Sequence, residues 1–198
     1  MAEGKLRMEW VVIGVTIAIV VFVVQIFNNL VRMRNVVREG WSGIDVQLRR
    51  RTDLVPNLVE TVKGYAAHER GLFEDVAKNR AQSIAADNVG GQAAAENALR
   101  GSLVRLFAVA EAYPDLKANK NFLDLQQQLA EVEDQLQMAR RYYNGAVRNL
   151  NIGIQTFPAV LLARPFGFRE EPFFELDDRS QAAAPQVSLG GKSFGGKS

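Results

Sequence analysis

Gly191, Gly196, Lys197 and Ser198 stand at the spacing of a phosphate-binding loop, in which glycine amides wrap a phosphate and the lysine neutralises it. That chemistry requires a strand ahead of the loop and a helix N-terminus behind it, so that the amides are aimed. Here the match falls in a stretch rich in Gly, Ser and Ala with neither, and it is read as coincidence. His68-Glu69 begins like the helix of a zinc protease, where two histidines four residues apart hold the metal and the glutamate acts as base. Leu72 occupies the second histidine's place, and His68 is the chain's one histidine. A di-metal bundle site needs paired Glu-x-x-His motifs, and Tyr65 takes the glutamate position ahead of His68. There is no cysteine to serve as nucleophile or thiolate ligand, and no serine is placed beside the one imidazole. The expectation is no catalytic residue, no metal ligand and no cofactor.

The remaining polar clusters suit binding. Arg49, Arg50 and Arg51, followed by Asp53 and Asn57, form a charged stretch at the outer end of the first helix, read either as a solvated helix end whose cations complement the helix dipole or, more sharply, as a docking patch for an acidic protein partner. At helical rise it lies about 33 Å beyond Phe27, several Debye lengths from any lipid headgroup there. Arg32, Arg34 and Arg38 lie close enough to be lipid contacts. Phe157, Phe166 and Phe168 belong to a proline-punctuated aromatic segment that suits either an interfacial anchor or a flap over the bundle's lower mouth, the flap being preferred because the segment has no regular period.

The elements that position these groups begin with Trp10 to Phe27, which carries no charge and only Thr16 and Gln25 as polar side chains. As a helix this stretch runs about 27 Å, enough for one bilayer crossing. A cleaved signal peptide would need small residues after the apolar run, and Gln25-Ile26-Phe27-Asn28-Asn29-Leu30 stands there instead. The arginines that follow slightly outweigh Lys5 and Arg7 ahead of the run, which leans toward a cell-membrane protein with a cytoplasmic C-terminal domain. Lys and Arg total 24 against 22 Asp and Glu, so nucleic acid is not an expected partner.

Apolar spacing after the span is helical. Phe122, Leu125, Leu129, Val132, Leu136, Ala139, Tyr143, Ala146 and Leu150 alternate steps of three and four over four heptads. Leu99, Leu103, Leu106, Ala110 and Tyr113 mark a shorter helix ending near Pro114, and Leu58, Val62, Tyr65, Leu72 and Val76 another. The first helix continues through Leu30, Met33, Val37, Trp41, Ile44 and Leu48 to a break expected at Asp53 to Pro56. Each helix has one apolar stripe to hide and short connections force neighbours to reverse. The predicted fold is all-α: a single N-terminal transmembrane helix (10–27, after a short tail 1–9) continuing into a long antiparallel four-helix bundle (28–176), then a disordered tail (177–198).

Three ordered blocks resemble the LemA family of membrane-anchored helical proteins. They are Val46 to Tyr65 (VQLRRRTDLVPNLVETVKGY) with Ala67-His68-Glu69, Ala108 to Asn119 (AVAEAYPDLKAN), and Tyr143-Asn144 with Phe157-Pro158, Phe166-Gly167-Phe168 and Phe173-Phe174. The resemblance spans about residues 25–176 and implies one membrane helix and an antiparallel bundle. It carries no established enzymatic activity or catalytic residues. The functional expectation is a membrane-anchored, non-enzymatic interaction scaffold or membrane organiser, partnered by membrane lipid, an unidentified protein and, in a self-assembling version, further copies of itself. The alternative is a hydrolase or metal-dependent enzyme with a dispersed site.

Overall fold

The computed structural model describes the chain from residue 2 to residue 175, with side chains from residue 8. The expected tail 177–198, with its phosphate-loop match, lies outside the described residues. Within them the fold is all-helical, as the seams predict, with no strand among the described residues. Helix α1 (Ala2–Lys63) is followed by α2 (Arg70–Ala85), α3 (Val89–Ala110), the single turn α4 (Pro114–Lys117), α5 (Lys120–Gln155) and α6 (Ala159–Ala163).

Helix α1 has 62 residues and carries the apolar span and the first core helix without interruption. The expected break at Asp53 to Pro56 does not occur, because Pro56 sits inside the helix. A proline there withdraws the amide that would bond the Thr52 carbonyl. The Arg80 Nε of α2 donates to that carbonyl at 2.7 Å and satisfies it. The helix therefore continues to Lys63, beyond which the Tyr65 and Ala66 amides both close on the Val62 carbonyl at 3.0 and 2.9 Å. Leu58 and Val62 thus belong to the end of α1, while Leu72 and Val76 belong to α2. Asparagine caps start α3 and α5: Asn88 accepts from the Gly91 amide at 2.8 Å and Asn119 from the Phe122 amide at 3.2 Å.

Antiparallel pairing of α1 with α5 is the backbone of the fold, and α2 pairs with α3. Gly40 explains how closely the long pair approaches: a Cβ there would stand 3.0 Å from the Tyr143 Cα. The seam read on α5 is buried at Phe122, Leu129, Val132, Leu136, Tyr143, Ala146 and Leu150. Two apolar cores result. The distal one joins all four long helices through Val55, Leu58, Val76, Leu99, Leu106 and Phe122. The membrane-proximal one is built on α1 and α5 through Leu30, Val37, Ile44, Tyr143 and Leu150, and is completed by Ala163, Phe168 and Phe174 rather than by α2. Sixteen and 22 residues make α2 and α3 about 24 and 33 Å long, too short to flank the whole of α5.

Candidate functional site

Between the two cores lies a buried polar layer. On α1 the inward slots run Ile44, Leu48, Arg51, Val55, Leu58 and Val62, so Arg51 falls where an apolar residue belongs and is 3% exposed. On α3, Glu96 occupies the slot before Leu99 and Leu103 and is 1% exposed. Arg51 Nη1 donates to Glu96 at 3.1 Å, and Nη2 to Glu133 of α5. The other Glu96 oxygen accepts from the Ser83 hydroxyl of α2 and from Gln92 Nε2 at 3.3 Å. Glu133 also accepts from Gln137 at 3.1 Å. One cation thus ties three helices through two carboxylates, with Ser83 adding the fourth.

The oxygens of both carboxylates are engaged by protein donors, Glu96 in the interior and Glu133 at the edge of a cavity of about 260 Å³. Among the described residues no group of three or more His, Asp or Glu side chains could hold a metal ion. His68 is exposed in the connection between α1 and α2.

Arg51 corrects the docking-patch reading: its side chain is buried and committed within the bundle. Because α1 does not break, the arginines stand about 18 Å short of its outer end rather than at the tip. Arg49 is exposed beside Asp45 at 3.0 Å, and Arg50 reaches toward Glu131 at 3.9 Å. Asp53 and Asn57 are exposed. Arg49 and Asp53 line a polar groove of about 560 Å³ together with Asp45, Thr52, Ser83 and Gln92, which does not include Arg50 or Asn57. The sequence reading missed Glu96, Glu133, Ser83, Gln92 and Arg80. Its available signal was a charged or amide residue at a core slot, Arg51 and Glu96 above all.

The second cluster lies at the membrane end. After α6 the chain turns at Gly167, whose φ of 76° is in the left-handed region. The turn sets Phe166 and Phe168 against Phe27, with centroids 5.2 and 5.7 Å away. Phe168 is buried under the Arg34 guanidinium, 4.9 Å from its ring centre, whereas Phe157 and Phe166 are exposed. Arg32 and Arg38 are exposed on α1.

From Arg169 the chain runs extended along α5, clamped by two asparagines seven residues apart. Asn151 donates to the Glu171 carbonyl at 3.0 Å and accepts from the Glu171 amide at 2.9 Å. Asn144 does the same for Phe174, at 3.1 and 2.9 Å. Seven residues of helix advance about 10.5 Å and three of extended chain about 10 Å, so the two repeats match. Between the clamps the Tyr143 hydroxyl donates to the Pro172 carbonyl at 2.9 Å. Burial, with the Glu171 carboxylate adding to it, pushes that phenol up from 10.0 to about 12.

The chain is 27% identical to magnetosome protein MamQ 2 of Paramagnetospirillum magneticum and 25% identical to magnetosome protein MamQ of Magnetospirillum gryphiswaldense, over 75% of its own length in each case. It spans 64% of the length of those relatives. It is 28% identical to protein LemA of Metamycoplasma hominis, over 76% of this chain and 69% of that one. The profile of the LemA family matches residues 40–189, most of the chain, and the protein belongs to that family.

Proposed function

We propose that the chain is a membrane-tethered, non-enzymatic scaffold whose bundle presents helix surfaces to membrane or peripheral proteins. The observation that carries this reading is the continuity of α1. The helix has one stretch long and apolar enough to cross a membrane, with none of it buried, and the same helix supplies core residues as far as Val62. A tether that is also a core helix fixes the bundle's pose. Arg51, Glu96, Ser83 and Gln92, the polar side chains of the interior layer, are spent on holding helices together, which favours presentation over turnover. Two relatives are named for the magnetosome, a cell structure and not a reaction, which points the same way. Arg164 and Arg169 join Arg32 and Arg38 as exposed cations on the bundle side of the span, supporting a cytoplasmic bundle in the cell membrane.

The docking surface proposed is the groove at Arg49 and Asp53, with Arg50 and Asn57 beside it; because Asp45 and Asp53 stand with Arg49 in its lining, a protein surface of mixed charge that brings a carboxylate to Arg49 and Arg50 fits it. Crosslinking from Val46 in native membranes should capture a partner with wild type and lose it with Arg49→Glu/Arg50→Glu, whose exposed positions leave the fold intact. Capture unchanged by the double reversal would refute the surface. A second reading, side-by-side self-association, is favoured by exposed Met138, Tyr142 and Ile152 along α5 and by an apolar groove of about 470 Å³ that Ile152 lines with Met33 and Val36 of α1. The same crosslinks would then join copies of this chain and survive the reversal.

A further inference from the structure

The turn from α5 through α6 exposes apolar surface where a soluble domain would hide it. Phe157 is 76% exposed, Leu161 65%, Phe166 49% and Val160 38%, while Ala163 and Phe168 on the other side are buried. These residues form an elbow that does not simply cap the bundle. Its inner side packs on α1 at Ile26 and Phe27, the last turn of the uncharged span. Of the span residues from 8 to 27, Val23, Ile26 and Phe27 alone are partly covered, and the rest are exposed. The elbow thus reaches the last turn of the span rather than stopping below it.

We propose that this elbow is a second, monotopic membrane contact, seated in the leaflet that the span leaves at Phe27; the inference rests on the membrane-tethered reading. Lipid is the occupant because the outward residues are continuous with an exposed apolar helix that is itself bilayer-sized. The charge pattern fits a headgroup boundary. Arg164 and Arg169 flank the elbow with Glu170 around a cavity of about 430 Å³, and Arg32 is exposed on α1 about one and a half turns beyond Phe27. Apolar residues inserted by one or two turns, with arginines at the rim, are the arrangement of an interfacial helix. Two contacts on one leaflet, the span and the elbow, would fix the bundle's rotation as well as its tilt.

The chain has no cysteine, so single probes can be placed at will. Val20, Leu161 and Val104 are similarly exposed, at 55%, 65% and 61%, and differ in where they lie along the molecule. The full chain carrying Val20→Cys, Leu161→Cys or Val104→Cys is labelled with an environment-sensitive fluorophore and placed in phosphatidylcholine–phosphatidylglycerol vesicles. Helicity by circular dichroism confirms folding, and Phe157→Cys serves as a second elbow position. Elbow probes are expected to be quenched several-fold more by lipid doxyl-labelled near the carbonyl than the Val104 probe, and several-fold less by aqueous iodide. A Leu161 probe that behaves like Val104 while Val20 is lipid-quenched would overturn the elbow and leave the anchor standing. A Leu161 probe shielded from both quenchers would mean a protein covers it, which also overturns the proposal. A Val20 probe in water would overturn elbow and anchor together.

Discussion

Arg51 and Glu96 set the register of this bundle, because each is a charge at a slot that its neighbours fill with Leu or Val. Sliding α1 along α5 by one heptad would set Arg51 against Gln126 or Arg140 in place of Glu133 and strand both carboxylates, at a large desolvation cost. The layer need not add stability over apolar residues of equal volume; its contribution is uniqueness. We expect Glu96→Ala to destabilise by about 3–5 kcal/mol, since it leaves a buried guanidinium half-paired. The replacement of all three ion-pair members by Met or Leu should stay within about 2 kcal/mol of wild type. Denaturant unfolding in mild detergent measures both, and a Glu96→Ala cost below about 1 kcal/mol would show the layer to be incidental. Arg51 was legible as a core residue once its spacing from Leu48 and Val55 is counted. An expected helix break two residues later hid this, since it turned three arginines into a tip.

At the scale of elements, the helices were legible because three-and-four spacing reports directly on a buried stripe, as the α5 seam shows from Phe122 to Leu150. What local pattern does not report is a partner supplied from far away. Pro56 reads as a break until Arg80 is known to satisfy the Thr52 carbonyl, and 24 residues separate the proline from that arginine. The extended segment after Gly167 has no period to read, and the asparagines at 144 and 151 that hold it lie on another element. Its docking carries a pH dependence with a definite sign. The Tyr143 phenol is neutral and donating below its folded pKa of about 12, above the ordinary 10.0, so its contribution is complete below pH 10 and fades as pH climbs toward 12. Stability of the wild type should therefore fall more steeply than that of Tyr143→Phe across pH 10–12, by about 2 kcal/mol over the interval. At neutral pH the variant should be weaker by about 1 kcal/mol for the lost hydrogen bond. Denaturant midpoints against pH test this, and parallel slopes would contradict it.

For the whole molecule, the tether and the bundle are one body because α1 is one helix. A span joined through a flexible linker would let the bundle tumble above the lipid, and neither its grooves nor its aromatic elbow would keep a fixed height. Here Phe27 ends the apolar stretch while already in contact with Phe166 and Phe168, and Leu30 is buried three residues later. The membrane-bound end of the chain is thus part of the tertiary structure. Continuity of hydrophobic spacing from Leu30 to Leu48 made this coupling legible in the sequence, whereas the two-core division did not show, since it depends on where α2 and α3 stop. Rigid coupling is the claim on which the proposed scaffold role depends. Its most direct test is a spin-label distance between Val20→Cys in the span and Val46→Cys in the bundle, measured by pulsed electron resonance on the full chain in lipid nanodiscs. A continuous helix predicts a narrow distribution centred about 39 Å apart along the axis. A broad distribution, or a mean shorter by about 10 Å or more than that helical rise, would place a hinge at the membrane surface and contradict the account.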